Sequence, residues 1–254
     1  MADRLSGAVA LVTGASSGIG EATARSLAAE GARVALLARR VDRIEKLAQE
    51  IAGRGHTALA IECDVTDQGG VAEAVSRTVG DFGRLDVVVN NAGLMLLGPI
   101  PGAPTEEWER MIDVNLKGLL YVTHAALPHL LEAAGDSPRG VADVVNVSSV
   151  AGRVARAGSG VYNLTKHGVG AVSEALRQEV SPEGVRVTVI EPGAVDTELT
   201  DHIRDGVREA VRQRLARIEE PLKAHDVADA IEYAVTRPAH VSLNEILIRP
   251  TGQG

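Results

Sequence analysis

Short runs of aliphatic and β-branched residues alternate along this chain with longer segments whose apolar positions recur at helical spacing. Each run is almost continuously apolar, as expected for parallel strands buried on both faces. Glu21–Glu30 is rich in alanine, and Asp42–Ala52 carries Ile44, Leu47 and Ile51 on one helical face. We therefore predict strands at Ala8–Thr13, Arg33–Ala38, Thr57–Ile61, Asp86–Val89, Val141–Val147, Val185–Ile190 and Glu245–Ile248, and further helices at Thr105–Leu131 and Val161–Val180.

This alternation predicts βαβ units, which build a parallel sheet through right-handed crossovers. The expected fold class is α/β: a single-domain, Rossmann-type doubly wound sheet of about seven parallel strands with helices on both faces. No linker or repeat divides the sequence, and α/β folds of roughly 250 residues commonly form one domain. We expect one domain over residues 1–254, with a substrate lid at about 198–221, where the polar stretch Glu198–Pro221 breaks the βα rhythm.

Composition excludes several classes of function. The net charge of −8 and the aromatic content of 2% argue against a nucleic-acid partner. The single Cys63 and seven scattered histidines leave no cysteine-rich zinc site and no HExxH motif, so we predict no metal. No apolar run reaches the ~18 residues of a membrane span. The first residues resemble a strand rather than a signal peptide, so we expect a cytoplasmic protein that does not bind membranes.

A glycine-rich turn follows the first predicted strand. Residues 13–20 read TGASSGIG and lead directly into a helix, with the spacing G-x-x-x-G-x-G. Glycines let backbone amides approach a pyrophosphate, and the helix N-terminus adds positive dipole. Ser16 and Ser17 add hydroxyl donors. The alternative is a tight turn that binds no ligand; a triphosphate P-loop is excluded because no GKS or GKT follows.

Two arginines follow the second predicted strand, which ends Leu-Leu-Ala-Arg39-Arg40. In a dinucleotide-binding unit, this position binds the adenosine ribose. A carboxylate there would favour NAD, whereas a guanidinium pairs with the 2′-phosphate of NADP. The arginines therefore favour NADP(H), with Arg39 expected to face the 2′-phosphate. The alternative is that both arginines are solvated at the start of the next helix.

A tyrosine and a lysine lie one helical turn apart at Tyr162 and Lys166. A phenol has a pKa of ~10, and a nearby ammonium lowers it towards the range useful for acid–base catalysis. Tyr233 also has a base four residues on, so the spacing alone is weak. Only Tyr162 is preceded at thirteen residues by a strand-end serine, Ser149, where ligands of open α/β sheets bind. The alternative for Tyr162 is a buried structural phenol.

These motifs together resemble the classical short-chain dehydrogenase/reductase family over essentially the whole chain. TGASSGIG (13–20), DV (64–65), NNAG (90–93), NVSS (146–149), YNLTK (162–166) and EPGAVDT (191–197) occur in the family's order and spacing. The resemblance implies a catalytic centre of Asn115, Ser149, Tyr162 and Lys166. With the two arginines, the expected cofactor-binding residues are Gly14, Ser16, Ser17, Gly18, Ile19, Gly20, Arg39, Arg40, Asp64, Val65, Asn91, Ala92, Gly93, Tyr162, Lys166, Pro192, Gly193, Val195 and Thr197.

The resemblance also implies an activity. We expect an NADP(H)-dependent oxidoreductase that transfers a hydride between the nicotinamide and a small aldehyde, ketone or alcohol, with Tyr162 as general acid/base. More narrowly, the stretches NNAGLMLLGPI (90–100), ALPHLL (126–131), AGRVARAGSGVY (151–162) and EILIRPT (245–251) resemble bacterial enzymes of the clavulanic acid dehydrogenase and 3-hydroxy acid dehydrogenase kind. This resemblance suggests an acidic substrate or a secondary-metabolite intermediate. By family habit we expect a homodimer or homotetramer. A non-catalytic NADP-binding sensor and an isomerase or dehydratase on the same fold remain alternatives.

Arg153 and Arg156 lie between Ser149 and Tyr162, in the loop 152–158. Since both ends of this loop are anchored at the predicted catalytic centre, either guanidinium could hold a substrate carboxylate. The alternative, that these arginines are solvated or form ion pairs elsewhere, is the more ordinary role for a loop arginine.

Overall fold

Seven parallel strands form one sheet in the computed structural model of the chain, which describes residues 3–136, 139–215 and 218–253. The strands lie side by side in the order β3-β2-β1-β4-β5-β6-β7. The predicted α/β fold with about seven parallel strands is confirmed. The strands are β1 (Val9–Thr13), β2 (Arg33–Ala38), β3 (Ala58–Glu62), β4 (Val87–Asn90), β5 (Ala142–Val147), β6 (Val185–Pro192) and β7 (Glu245–Ile248).

Helices cover both faces of the sheet because successive side chains of each strand point to opposite sides. On β1, Ala10 and Val12 pack into one apolar cluster with α1, α2 and α8, whereas Val9 and Leu11 pack into a second with α3, α5 and α6. Within the described residues, the helices are α1 (Gly18–Ala29), α2 (Val41–Ala52), α3 (Gln68–Phe82), α4 (Thr105–Ile112), α5 (Leu119–Asp136), α6 (Gly160–Val180), α7 (Asp205–Leu215) and α8 (Ala224–Val235).

The predicted helix Thr105–Leu131 is not continuous α-helix. A turn of π-helix, Asp113–Gly118, separates α4 from α5. The apolar pattern continues through this turn, so periodicity gave no sign of the widened backbone. Single π turns inside α-helices are frequent at functional sites, and this one carries Asn115.

The edge strand β7 departs from the expected burial on both faces. Its four residues are alternately exposed and half-buried, and Leu247 is 46% exposed. Only one neighbour, β6, covers this strand, whereas β1, β4, β5 and β6 are buried along their length. Within the described residues, no helix is both long enough and apolar enough to cross a membrane.

The predicted lid begins with a 3₁₀ turn at Glu198–His202 and continues into α7, while its residues 216–217 lie outside the described part of the chain. Ile203 joins the two elements and is fully buried, although its neighbours in the sequence are polar. Burial of this side chain fixes the segment to the rest of the molecule. The order of the sheet reverses at β1, which lies between β2 and β4, and a crevice for ligands is expected there.

Candidate active site

The glycine turn packs its backbone directly against the loop after β4. Gly14 and Gly18 have φ angles of +65° and +56°, a conformation that side chains other than glycine rarely adopt. A Cβ on Gly14 would lie 2.9 Å from the Ala92 Cα, and one on Gly20 would lie 2.4 Å from the Gly14 carbonyl oxygen. Glycine is therefore required for this close approach, which leaves the N-terminus of α1 facing the crevice.

Thr13 was not singled out from the sequence, yet it joins the two strands that border the crevice. Its hydroxyl accepts hydrogen bonds of 3.0 Å from the backbone amides of Asn91 and Ala92 and donates to the Val89 carbonyl at 3.3 Å. The Asn91 side chain returns a bond to the Thr13 carbonyl at 3.0 Å. A polar residue at the end of an apolar strand was the available signal.

The two arginines after β2 occupy different environments. Arg40 donates to the Ser16 hydroxyl at 2.9 and 3.1 Å and to the Ser17 hydroxyl at 2.7 Å. Arg39 is 70% exposed, and its nearest carboxylate, on Asp64, is 3.7 Å away. The structure therefore brings Arg40, rather than Arg39, against the glycine turn.

A third arginine, Arg43, and the carboxylate of Glu198 complete this cluster. Glu198 accepts from Arg40 at 2.8 Å and from Arg43 at 2.8 and 3.0 Å. These two guanidinium groups hold the pKa of Glu198 at about 2, well below its ordinary value. The sequence shows no acid at the end of β2, and sequence reasoning missed Glu198, which lies 155 positions beyond Arg43 in the chain.

Asp64 and Val65 lie at the carboxyl end of the neighbouring strand β3. The Asp64 carboxylate accepts from the amide of Thr66 at 3.0 Å and from its hydroxyl at 2.8 Å, which fixes the turn. Val65 is 8% exposed and packs so closely on Gly118 that a Cβ there would lie 2.7 Å from it. Both residues thus border the crevice next to the arginines.

The structure brings Ser149, Tyr162 and Lys166 together at the end of β5. Ser149 begins a 3₁₀ turn, and its hydroxyl accepts from the Ala151 amide at 3.1 Å. Tyr162 lies in the first turn of α6 and is 7% exposed. The Lys166 Nζ donates to the Val147 carbonyl at 2.9 Å and lies 5.8 Å from the centroid of the Tyr162 ring.

Burial dominates the acid–base properties of this group. It raises the pKa of Tyr162 to about 12, although a hydrogen bond with Ser149 acts in the opposite direction. Burial also lowers the pKa of Lys166 to about 8. These values keep the phenol protonated at neutral pH and bring the pKa of the lysine close to that range.

Asn115 uses its side chain to hold the loop that follows β4. Its Oδ1 accepts from the Leu94 amide at 2.7 Å, and its Nδ2 donates to the Leu94 carbonyl at 2.9 Å and to the Thr165 hydroxyl at 3.1 Å. Gly93 lies between Asn115 and Lys166, since a Cβ there would be 3.6 Å from Oδ1 and 3.8 Å from Nζ. Asn115 therefore positions the backbone next to the lysine.

The segment after β6 closes the crevice from the other side. The Gly193 amide donates to the Ile248 carbonyl at 2.8 Å, directly after Pro192, and Val195 forms an isolated bridge with Leu222. Thr197 then passes over the glycine turn, where a Cβ on Gly18 would lie 3.2 Å from its methyl group. The glycine turn, the loop after β4 and Thr197 thus meet at one place, and the largely solvated Arg39 side chain lies at its rim.

Comparison with known proteins settles the family. The family model described as short chain dehydrogenase matches residues 8–208. The chain is a member of the short-chain dehydrogenase/reductase family. This short-chain dehydrogenase is 42% identical over 249 residues to an uncharacterised oxidoreductase of Staphylococcus saprophyticus, with 96% of each chain covered. It is an oxidoreductase, and its family binds a nicotinamide cofactor.

Two solved structures illustrate the likeness of this short-chain dehydrogenase to enzymes with different cofactors. A serine dehydrogenase in complex with NADP+ is 34% identical, with a TM-score of 0.87 over 97% of this chain and 96% of that one. A 3-ketoacyl-(acyl-carrier-protein) reductase of Brucella melitensis in complex with NADH is 30% identical, with a TM-score of 0.84 over 97% and 98%. The bound cofactor thus differs between these two neighbours.

A small, partly open recess lies next to Tyr162 in this short-chain dehydrogenase. Leu96 and Met111 line it and also pack against the tyrosine, and Trp108 contributes a half-buried indole. The ion pair between Arg204 and Glu107, 2.7 Å long, joins the predicted lid to α4 beside this recess.

Arg153 does not point a free guanidinium at the recess. It donates to the Glu191 carboxylate at 2.6, 2.7 and 2.8 Å and also pairs with Glu245, which holds its pKa above the ordinary value. Glu191 is 4% exposed, so Arg153 neutralises a buried charge at the end of β6. Arg156 is exposed, and its backbone carbonyl accepts from the Ser159 hydroxyl at 2.9 Å.

Proposed function

We propose that this chain is an NADP(H)-dependent oxidoreductase that interconverts a small aldehyde or ketone and the corresponding alcohol, with Tyr162 as the general acid/base. One observation carries the proposal. The buried Tyr162 hydroxyl, its hydrogen-bond partner Ser149 and the buried Lys166 lie together at the carboxyl end of β5, next to a crevice shaped by Gly14 and Gly18.

The crevice fits a dinucleotide phosphate. A Cβ on Gly14 or Gly20 would collide with neighbouring backbone, so only glycine allows this turn. The N-terminus of α1 opens towards the crevice. Gly14, Gly18 and Gly20 would hold the pyrophosphate through backbone amides, and Lys166 would hold the nicotinamide ribose. The remaining predicted contacts are Ser16, Ser17, Ile19, Asp64, Val65, Asn91, Ala92, Gly93, Pro192, Gly193, Val195 and Thr197.

NADP(H) is favoured over NAD(H) because guanidinium groups lie where the adenosine ribose would bind. Arg40 contacts both serine hydroxyls of the turn, which orients its planar group towards the crevice. A 2′-phosphate offers this group bidentate, charge-assisted hydrogen bonds. Arg39 lies at the outer rim, where it would add a more solvated and weaker attraction.

In the proposed mechanism, a nicotinamide held by these residues would supply the hydride chemistry. In reduction, Tyr162 donates its phenolic proton to the substrate oxygen; in oxidation it accepts the alcohol proton. Ser149 donates a hydrogen bond to the same oxygen and stabilises the charge that develops there. A protonated Lys166 favours the phenolate electrostatically, which makes the phenol a better acid. Asn115 keeps the backbone at Gly93 and Leu94 in place.

The proposed substrate is small, and an apolar portion of it would contact Leu96 and Met111. Arg156 is the remaining candidate to bind a substrate carboxylate, since Arg153 is engaged by two glutamates. On this basis we propose an acidic carbonyl compound as the substrate. The segment 198–221 would act as the lid, with Ile203 as its anchor.

A homodimer or homotetramer remains part of the proposal. Leu120 and Leu164, on the long helices α5 and α6, are 42% and 58% exposed, and an interface would remove them from water. Light scattering coupled to gel filtration measures the mass, and a monomeric mass at micromolar concentration would contradict this part of the proposal.

The deciding experiment measures NADPH and NADH oxidation by the purified chain with matched acidic and neutral aldehydes and ketones. We expect turnover with NADPH and a substantially lower kcat/KM with NADH. NADPH binding without turnover across the panel would instead favour a sensor. Equal kcat/KM for the two cofactors would contradict the proposed preference.

A further inference from the structure

In the Arg40–Glu198–Arg43 cluster, a carboxylate contacts the guanidinium that the proposed function assigns to the 2′-phosphate of NADP(H). Glu198 receives hydrogen bonds from both guanidinium groups, and Arg40 at the same time contacts Ser16 and Ser17 of the glycine turn. A carboxylate held between two arginines marks the position that an anion prefers at this end of the crevice.

We propose that Glu198 is an internal competitor for the 2′-phosphate, so that this residue, with Arg43, determines how strongly the chain distinguishes phosphorylated from unphosphorylated adenosine ribose. The inference rests on the proposed preference for NADP(H). It adds two residues that act on that preference, one of which opposes binding.

The competition is direct because the same guanidinium nitrogens are needed. Arg40 Nη1 is 2.8 Å from a Glu198 oxygen, and a 2′-phosphate that pairs with Arg40 must share or replace that contact. Arg43 lies on the first turn of α2, and its Nη1 contacts both Glu198 oxygens at 2.8 and 3.0 Å. The dianionic 2′-phosphate and the anionic Glu198 carboxylate repel each other at close range. Glu198 therefore has to leave at least one arginine when the phosphate binds.

Protonation does not relieve this competition in the physiological range. The two arginines hold the pKa of Glu198 at about 2, so the carboxylate is charged at neutral pH. Its contacts are solvent-exposed, however, with Arg40, Arg43 and Glu198 each between 43% and 46% exposed. Exposed ion pairs are weak, so a ligand with a doubly charged phosphate can displace the carboxylate.

Glu198 also starts the 3₁₀ turn of the predicted lid, directly after Thr197. Displacement of its side chain therefore acts on the segment that leads to Ile203 and Arg204. Binding of a 2′-phosphate and the position of the lid are linked through a single side chain, whereas an unphosphorylated ribose leaves this contact intact.

The test uses two ligands that need no turnover: adenosine 2′,5′-bisphosphate and adenosine 5′-monophosphate, titrated into the purified chain by isothermal calorimetry. In Glu198→Gln, we expect the bisphosphate to bind about three- to tenfold more tightly than in the wild type, while the affinity for the monophosphate stays the same. In Arg43→Gln, the bisphosphate should bind more weakly, again with little change for the monophosphate.

Glu21→Gln is the matched control. Glu21 lies on the first turn of α1 and pairs with Arg25 at 2.9 Å, so its removal changes the local charge without freeing Arg40 or Arg43. Glu21→Gln should change the affinities for the bisphosphate and the monophosphate by the same factor. Glu198→Ala provides a second variant, and circular dichroism confirms that each variant is folded.

The outcomes separate this inference from the proposed function. If Glu198→Gln leaves the bisphosphate affinity unchanged or weaker, or tightens both ligands equally, Glu198 is not a competitor. If the wild type fails to distinguish the two ligands but Glu198→Gln does, the competitor is supported and the NADP(H) preference of the natural chain is rejected. If neither protein distinguishes them, both ideas are rejected.

Discussion

Tyr162 and Lys166 have protonation properties that follow from burial more than from each other. The sequence predicted both residues and their shared position on α6, because a four-residue helical spacing places two side chains on one face. It did not predict that burial raises the pKa of the phenol to about 12. Burial of Tyr162 depends on Leu94 and Leu96 in the loop after β4, which is distant from it in the sequence.

Replacement of the phenol tests the proton transfer. In Tyr162→Phe, turnover should fall ~10²–10⁴-fold or more, because the general acid/base is lost. NADPH affinity should stay nearly the same, since the ring and its packing are retained. Stopped-flow turnover and fluorescence titration measure the two quantities. Wild-type turnover in this variant would remove Tyr162 from the mechanism.

Lys166 predicts a pH dependence of folding stability. The unfolded chain holds the lysine proton up to the ordinary pKa of 10.5, whereas the folded chain releases it near 8. Because the folded chain binds this proton less tightly, the free energy of unfolding is reduced at pH values below about 8. This reduction disappears as the pH rises from about 8 to 10.5. In Lys166→Met, which has no such proton, the dependence should be absent.

The measurement is the free energy of unfolding of both proteins in urea between pH 7 and pH 10.5. The free energy of unfolding of the wild type minus that of Lys166→Met should rise by on the order of 3 kcal/mol over this range, because each unit of pKa corresponds to about 1.4 kcal/mol. Titration of other groups cancels in the difference. Parallel curves for the two proteins would show that Lys166 is not desolvated.

At the scale of elements, the strand ends were predictable and the contacts between distant elements were not. The seven apolar runs match the strands to within two residues, since parallel strands buried on both faces leave a continuous apolar signature. The helices α3 and α8 were not predicted. Arg153 illustrates the limit, because its partners lie 38 and 92 positions away, and no local pattern indicates either pair.

The loop 152–158 contains one arginine with a structural role, Arg153, and one candidate substrate-binding arginine, Arg156. In Arg153→Ala, the buried Glu191 loses its partner, and stability should fall by about 1–3 kcal/mol with equal effects on acidic and neutral substrates. In Arg156→Ala, stability should stay the same, while KM for an acidic carbonyl compound rises about tenfold or more and KM for its neutral analogue does not.

Thermal unfolding and steady-state kinetics on matched substrates measure these effects, with each variant serving as the control for the other. Equal changes in KM for both substrates in Arg156→Ala would exclude a carboxylate contact. A selective increase for the acidic substrate in Arg153→Ala would mean that Arg153 leaves Glu191 when substrate binds.

At the scale of the whole molecule, the two ends of the sheet serve different purposes. The proposed active site lies at the carboxyl ends of the strands. The amino ends carry buried ion pairs: Asp143, 2% exposed, accepts from Arg186 at 2.8 and 3.1 Å and from Arg139 at 2.6 Å. Asp86 likewise pairs with Arg84 at 2.8 Å. These groups were not predicted, because charged residues inside apolar runs appear only as interruptions of the pattern.

This division predicts a variant that loses stability without losing chemistry. Asp143→Ala leaves the buried Arg186 without its carboxylate, and breaking a buried pair in this way costs about 3–5 kcal/mol. Urea unfolding should show this loss, while kcat per folded molecule stays at the wild-type value below the transition. A fall in kcat at full folding would show that the two ends of the sheet are coupled.

Trp108 gives the molecule a built-in optical reporter. It is the one tryptophan of the chain, and it lies in the wall of the recess beside Tyr162. Tryptophan emission therefore comes from a single side chain, which lies close to the proposed site of hydride transfer. Reduced nicotinamide absorbs where indole emits, so energy transfer quenches this emission on binding. Unlabelled protein can thus distinguish ligands that stop at the arginines from those that extend to the recess.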